Sequence, residues 1–194
     1  MTFKLGLTGS IGMGKSTTAQ MFTDEGCAVW DADAAVHRLY GQNGAAVAPI
    51  GNIFPGAVVD GTLSRDALRA IISQDASALA RIEAIVHPLV ADDRARFVAT
   101  TNAEIVVFDI PLLFETGGDT GMDAVAVVHV DAETQKARVL ERGTMSEDQF
   151  YAILEKQMPS AEKCDRADFV IETDTVEHAR AQVHSVVQQI KSGL

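Results

Sequence analysis

Gly9-Ser-Ile-Gly-Met-Gly-Lys15-Ser16 decides the fold. The apolar run Phe3–Thr8 before it reads as a short buried strand. Lys15 to Asp24 after it reads as a helix stopped by Gly26. Glycine at first and sixth place, then Lys and Ser, is the full phosphate-loop pattern, and strand and helix are the flanks it requires. The glycines let the chain approach phosphate oxygens closely. Successive backbone N–H groups then make a concave anion site at a helix N-terminus. Gly9, Gly12, Met13, Gly14, Lys15, Ser16 and Thr17 are thus expected to bind a nucleoside triphosphate, with Lys15 reaching the β- and γ-phosphates. The Ser16 hydroxyl is expected on Mg²⁺ and Thr17 near the α- and β-phosphates.

Further strands and helices extend from this loop. Ala28–Asp31 is a second short strand, and Ala34–Tyr40 looks helical. Gly41–Gly61, rich in Gly, Pro and Asn, reads as mainly loop. Leu68, Ile71 and Ile72 make an apolar helical stripe. Leu79, Ile82, Val86, Leu89 and Val90 make another, read as core, with a kink expected at Pro88. Ile105–Phe108 and Ala124–Val130 are continuous apolar runs of the kind that parallel strands buried on both faces carry. Phe169–Ile171 repeats this briefly. Glu133–Glu141 reads as a charged helix, Ser146-Glu-Asp-Gln149 as a capping box opening another, and a last helix starts near Thr175. His178 and His184 are expected at the surface.

Strands alternating with helices imply an α/β domain with a mainly parallel sheet. The 194 residues suit one domain, and 47% hydrophobic content supplies a core. A net charge of −11 argues against a nucleic-acid partner, which needs a basic stripe. It leaves a small polyanion open. Cys27 and Cys164 lack metal-ligand spacing and are expected as free thiols. The first residues do not read as a leader, and no apolar run is long enough for a membrane span. A cytoplasmic monomer or small homo-oligomer is expected.

Two carboxylates follow the second strand. Asp31 and Asp33 at i and i+2 of an extended segment would point the same way. Transfer of a phosphoryl group to an alcohol needs a group that accepts the hydroxyl proton. Either Asp could instead cap the helix that follows, and the two roles are compatible, one for each. Asp109 ends an apolar strand, the usual place of a Mg²⁺-directed carboxylate, and Glu115 follows in Pro111-Leu-Leu-Phe-Glu115. Read alone, His87 on its apolar helix is a buried histidine. Arg138 and Arg142, four apart, share one helix face.

The ordered set resembles the dephospho-CoA kinase family. Its pieces are the glycine loop through Thr18, Asp31-Ala-Asp33, His87-Pro88-Leu89 and Pro111-Leu-Leu-Phe-Glu115. Gln135 with Arg138 and Arg142 follows, then Gln157 and Ala167-Asp168-Phe-Val-Ile171. The resemblance implies ATP- and Mg²⁺-dependent phosphorylation of the ribose 3′-hydroxyl of dephospho-CoA. It implies a three-layer P-loop kinase fold, like that of nucleoside and nucleotide kinases, with a five-stranded sheet. The nucleotide-binding core would span 1–34, 105–131 and 163–194, with a helical substrate module at 35–104 and a lid at 132–162. Carried over, Asp33 orients or deprotonates the 3′-hydroxyl with support from Asp31. Arg65, His87, Leu113 and Glu115 fall on the substrate side. Arg138, assigned to catalysis, and Arg142, assigned to ATP, become lid cations. One departure is Glu172-Thr173, where many relatives carry Asn, at the loop expected to contact the nucleotide base.

The main alternative is another small-molecule P-loop kinase with a nucleoside, nucleotide or sugar acceptor. A guanine-nucleotide switch would carry Asn-Lys-x-Asp, which is missing from the sequence.

Overall fold

A computed structural model describes residues 2–193. The chain divides into two compact units, one made of residues up to Trp30 with Asn102 onward, the other of Asp31–Thr101.

The first unit is built on a five-stranded sheet. Its strands are β1 (Phe3–Thr8), β2 (Ala28–Asp31), β5 (Ile105–Asp109), β6 (Ala124–His129) and β7 (Phe169–Glu172), in the order β2-β5-β1-β6-β7. β1 pairs in parallel with both β5 and β6, and β6 in parallel with β7. Leu5 therefore lies between Val107 and Ala124, and Leu7 between Asp109 and Ala126. Every residue of β5 is buried, which is why the run lacks the apolar–polar alternation of a half-exposed strand.

Helices cover the sheet. On one face, Leu5, Leu7, Val107, Ala126 and Val128 pack against α1 (Lys15–Asp24) through Met21 and Phe22. They also meet α9 (Val176–Lys191) through Val183, Val187 and Ile190. On the other face, Val125 and Val127 meet Leu113 and Phe114, with Met158, Cys164 and Ala167 around α8 (Ser160–Arg166). Strand side chains alternate between these clusters with period two. The other helices of this unit are α6 (Ala132–Glu141) and α7 (Glu147–Leu154), which pack on each other.

The second unit has its own core of Leu39, Ile50, Phe54, Leu63, Leu68, Ile82 and Val86. It contains α2 (Ala32–Tyr40), α3 (Val47–Ile53), β3 (Val58–Val59), β4 (Thr62–Leu63), α4 (Arg65–Gln74) and α5 (Ala78–Thr100). Several expectations change here. The stretch 41–61 is more than loop. Pro49 stands in the first turn of α3, where its missing N–H would be unpaired anyway, and Ile50 buries in the core. Asp60 and Gly61, both with positive φ, join β3 and β4 as a tight hairpin. The helix that carries Pro88 runs on past the proline to Thr100. Leu79 is not core: 46% of its surface is exposed.

Candidate active site

The phosphate loop starts where β1 ends, between two buried strands that fix its direction. Gly9 approaches β6 so closely that a Cβ there would stand 2.3 Å from Val128 Cγ2. Gly14 precedes α1 in the left-handed region at φ 87°, a conformation that β-carbons resist. A Gly14 Cβ would also press on Thr173, at 3.3 Å.

The loop is held from outside by side chains. The Met13 sulfur accepts from the Val130 N–H at 3.2 Å. Gln135 on α6 donates to the Ile11 carbonyl at 2.7 Å, and the Ile11 N–H donates to Gln157 Oε1 at 3.2 Å. Thr173 donates its hydroxyl to the Met13 carbonyl at 2.8 Å. The concave side opens into a cavity of about 270 Å³ lined by residues 9–17 with Pro111, Arg142, Ile153 and Gln157. All the loop residues expected to bind phosphate therefore line one cavity, together with Arg142.

Lys15 and Asp109 form an ion pair at the sheet's C-terminal edge. The parallel pairing that sets Leu7 opposite Asp109 brings the strand-end carboxylate beside the loop lysine. Asp109 is 2% exposed. The Asp109 carboxylate and the Ser16 hydroxyl are hard oxygen donors of the kind Mg²⁺ takes, so their chemistry fits that ion.

A second cavity, of about 240 Å³, adjoins the loop at Gly14 and Thr17 and is bounded by Met21, Arg138, Arg142 and residues 173–176. Arg138 donates to the Thr173 carbonyl at 2.6 Å and to the Thr173 hydroxyl at 3.2 Å. The two arginines on one face of α6 thus have different surroundings. Arg142 borders both cavities, whereas Arg138 is tied to the turn between β7 and α9.

Asp31 and Asp33 do not share one extended segment. Asp31 caps α2, accepting from the Ala34 N–H at 2.9 Å, so the helix begins two residues earlier than expected and Asp33 already lies in its first turn. Arg65 and His87 come together in the second unit at a cavity of about 320 Å³. Its apolar walls include Leu68, Ile72, Leu79 and Ile82, with Arg65, Arg69, Glu83 and His87 also lining it. His87 is exposed there, unlike the buried histidine its apolar helix suggested.

Leu113 and Glu115 line none of these three cavities. Leu113 is fully buried, packed where a Cβ on Gly6 would otherwise stand. Glu115 accepts from the Met158 N–H at 2.9 Å and faces the fully buried Lys163 ammonium at 2.9 Å. That second contact is an ion pair whose angles fall outside hydrogen-bonding geometry. Burial raises the Glu115 pKa. Lys163 and the Met158 N–H outweigh that and hold it below the usual carboxylate range. Sequence reasoning also missed the contacts of Gln135, Gln157 and Thr173 with the loop. The signal was available only as spacing within the family pattern, because each partner is more than a hundred residues away.

Comparison with known proteins bears on the family. A dephospho-CoA kinase family model matches residues 3–178. A protein of Ruegeria pomeroyi named dephospho-CoA kinase is 68% identical over 193 residues, covering 100% of this chain and 98% of that one. A Thermus thermophilus crystal structure superposes with a TM-score of 0.86 at 32% identity, covering 97% of each chain. A dephospho-CoA kinase from Campylobacter jejuni gives a TM-score of 0.72 at 25% identity over 100% of this chain and 99% of that one. With a phosphate cradle on the expected sheet edge and a family match across most of its length, the chain belongs to the dephospho-CoA kinase family.

Proposed function

We propose that this chain phosphorylates the ribose 3′-hydroxyl of dephospho-CoA with ATP, releasing CoA and ADP. The observation that carries this reading is the cradle of residues 9–17 with its Lys15–Asp109 pair, set in a chain of this family.

ATP lies with its phosphates in the first cavity and its base toward the second. Lys15 exchanges Asp109 for β- and γ-phosphate oxygens, and Arg142 adds a second cation at the cavity wall. Ser16 and Asp109 would hold Mg²⁺, an ion that would supply positive charge to offset that of the phosphate oxygens. Asp33 accepts the proton of the 3′-hydroxyl as its oxygen attacks the γ-phosphorus. The new O–P bond forms, the bond to the β–γ bridging oxygen breaks, and ADP leaves with that electron pair. Support for Asp33 is its family position, with no hydrogen bond or ion pair to its carboxylate among the described residues. Asp31, as the α2 cap, fixes the turn on which Asp33 sits.

The acceptor's apolar arm lies along Leu68, Ile72 and Leu79, with Arg65 and His87 on its phosphates. Leu113 and Glu115 act by packing rather than by substrate contact. Residues 132–162 serve as the lid, excluding water so that ATP is not wasted on hydrolysis. Among the described residues no helix is long and apolar enough to cross a membrane, and both cysteines are free. Both facts support a cytoplasmic setting.

An assay coupled to ADP release tests this, comparing dephospho-CoA with a panel of nucleosides, nucleotides and sugars. Fastest turnover with dephospho-CoA is expected. A nucleoside or sugar with higher kcat/KM would overturn the reading.

A further inference from the structure

The Thr173 side chain points under the phosphate loop. The residue is 7% exposed. Its backbone N–H donates to the His129 carbonyl at 2.8 Å, which fixes the residue at the end of β7. Its hydroxyl has one proton and two lone pairs. Its proton has two carbonyls in reach, Met13 at 2.8 Å and His129 at 3.3 Å, of which Met13 is the nearer; a lone pair accepts from Arg138 Nη1 at 3.2 Å. One small group thus joins the phosphate loop to the α6 arginine.

The consequence follows from peptide geometry. The Met13 carbonyl and the Gly14 N–H belong to one planar trans peptide, so they point in opposite directions. Holding the carbonyl down toward Thr173 turns the Gly14 N–H toward the other side. Gly14 lines the phosphate cavity, and among the described residues no backbone group accepts from its N–H. Gly14, in the left-handed region, is the N-cap of α1, so its N–H lies outside the helical hydrogen-bond ladder.

We propose that Thr173 is a positioning residue whose hydroxyl aims the Gly14 N–H at a nucleotide phosphate and couples that aim to Arg138. This rests on the reading of residues 9–17 as an ATP site.

The test measures ATP binding by calorimetry on the full chain as wild type, Thr173→Ser, Thr173→Val, Arg138→Ala and the Arg138→Ala/Thr173→Val double variant. Thermal unfolding and the KM for dephospho-CoA are measured on the same set. Valine keeps the shape and loses the hydroxyl. It is expected to weaken ATP binding by about tenfold, the size of one lost hydrogen bond between buried groups. Serine is expected to stay within about threefold of wild type. The KM for dephospho-CoA should be unchanged in both. The double variant should lose less than the product of the single losses, because both touch one network. Serine as weak as valine, or valine within twofold of wild type, would overturn the proposal. So would multiplicative losses, or a fall in melting temperature with ATP affinity intact. Failure of the wild type to bind ATP would instead remove the functional reading beneath it.

Discussion

Lys15 was legible from its place in the glycine loop, and Asp109 from its place at the end of an apolar strand. Their ion pair was not, because 94 residues separate them and only the parallel register between β1 and β5 joins them. Under the proposed function the pair would give each residue two tasks, holding the other in the structure described and a ligand during turnover. Lys15→Ala is expected to lower kcat by about 10²–10³, the usual loss when a group stabilising developing negative charge is removed. A loss under tenfold would count against its role. Asp109→Asn should raise the Mg²⁺ concentration for half-maximal rate and lower kcat by more than about tenfold. An unchanged Mg²⁺ requirement would remove Asp109 from the metal site. Cys27 makes a different prediction at this scale. Burial pushes its thiol up to about 11, with Glu25 adding to the rise and Lys191 opposing it. The folded chain therefore resists ionising a thiol that the unfolded chain ionises near 9.0. Stability from this group is intact below pH 9 and is lost as pH climbs toward 11. Urea midpoints from pH 8 to 11 should fall faster in wild type than in Cys27→Ala. Parallel curves would show that the thiol carries no such linkage.

At the scale of elements, the legible parts were those that physics marks locally. Ser146 and Gln149 form the capping box the sequence spelled out, and Thr175 caps α9 where its start was expected. The continuous apolar runs became buried parallel strands. What was missed lacked local marks. α3 is short, carries Pro49 and has its apolar residues set by a core assembled elsewhere in the chain. Asp60-Gly61 was a readable hairpin signal, hidden by the general Gly and Pro richness around it. The closeness of the phosphate loop to β6 was likewise invisible, since a glycine's motif role conceals its packing role. That packing is testable. An alanine at Gly9 would set its Cβ 2.3 Å from Val128 Cγ2 and 3.1 Å from the Val128 carbonyl oxygen. Gly9→Ala is expected to destabilise by about 1–3 kcal/mol through overpacking. Adding Val128→Ala should recover part, because the methyl clash goes and the backbone contact stays. A neutral Gly9→Ala in urea unfolding would mean the loop sits farther from β6 than described.

At the scale of the whole molecule, the residues of the proposed function divide between the two compact units. The first unit holds every residue of the phosphate loop, Asp109 and both α6 arginines. The second holds Arg65, His87 and the cavity with apolar walls. The sequence hinted at this division, because the P-loop pattern is confined to the first segment and the apolar stripes of 68–90 to the inserted one. It did not disclose that Leu79, one member of those stripes, is exposed at a cavity; helical periodicity marks a face without saying what covers it. If the second cavity-bearing unit receives dephospho-CoA alone, each substrate's affinity is set within one unit, and mutations in one should leave the other's substrate untouched. Arg65→Ala and His87→Ala are each expected to raise the KM for dephospho-CoA by about tenfold, the loss of one charge-assisted contact, with the KM for ATP within twofold of wild type. Arg142→Ala should show the reverse pattern, raising the KM for ATP. Both arginines and the histidine are on the protein surface, so folding should survive all three changes and circular dichroism can verify it. Should Arg65→Ala raise both KM values equally, the cavity in the second unit would be serving the nucleotide as well, and the assignment of one substrate to each unit would fall.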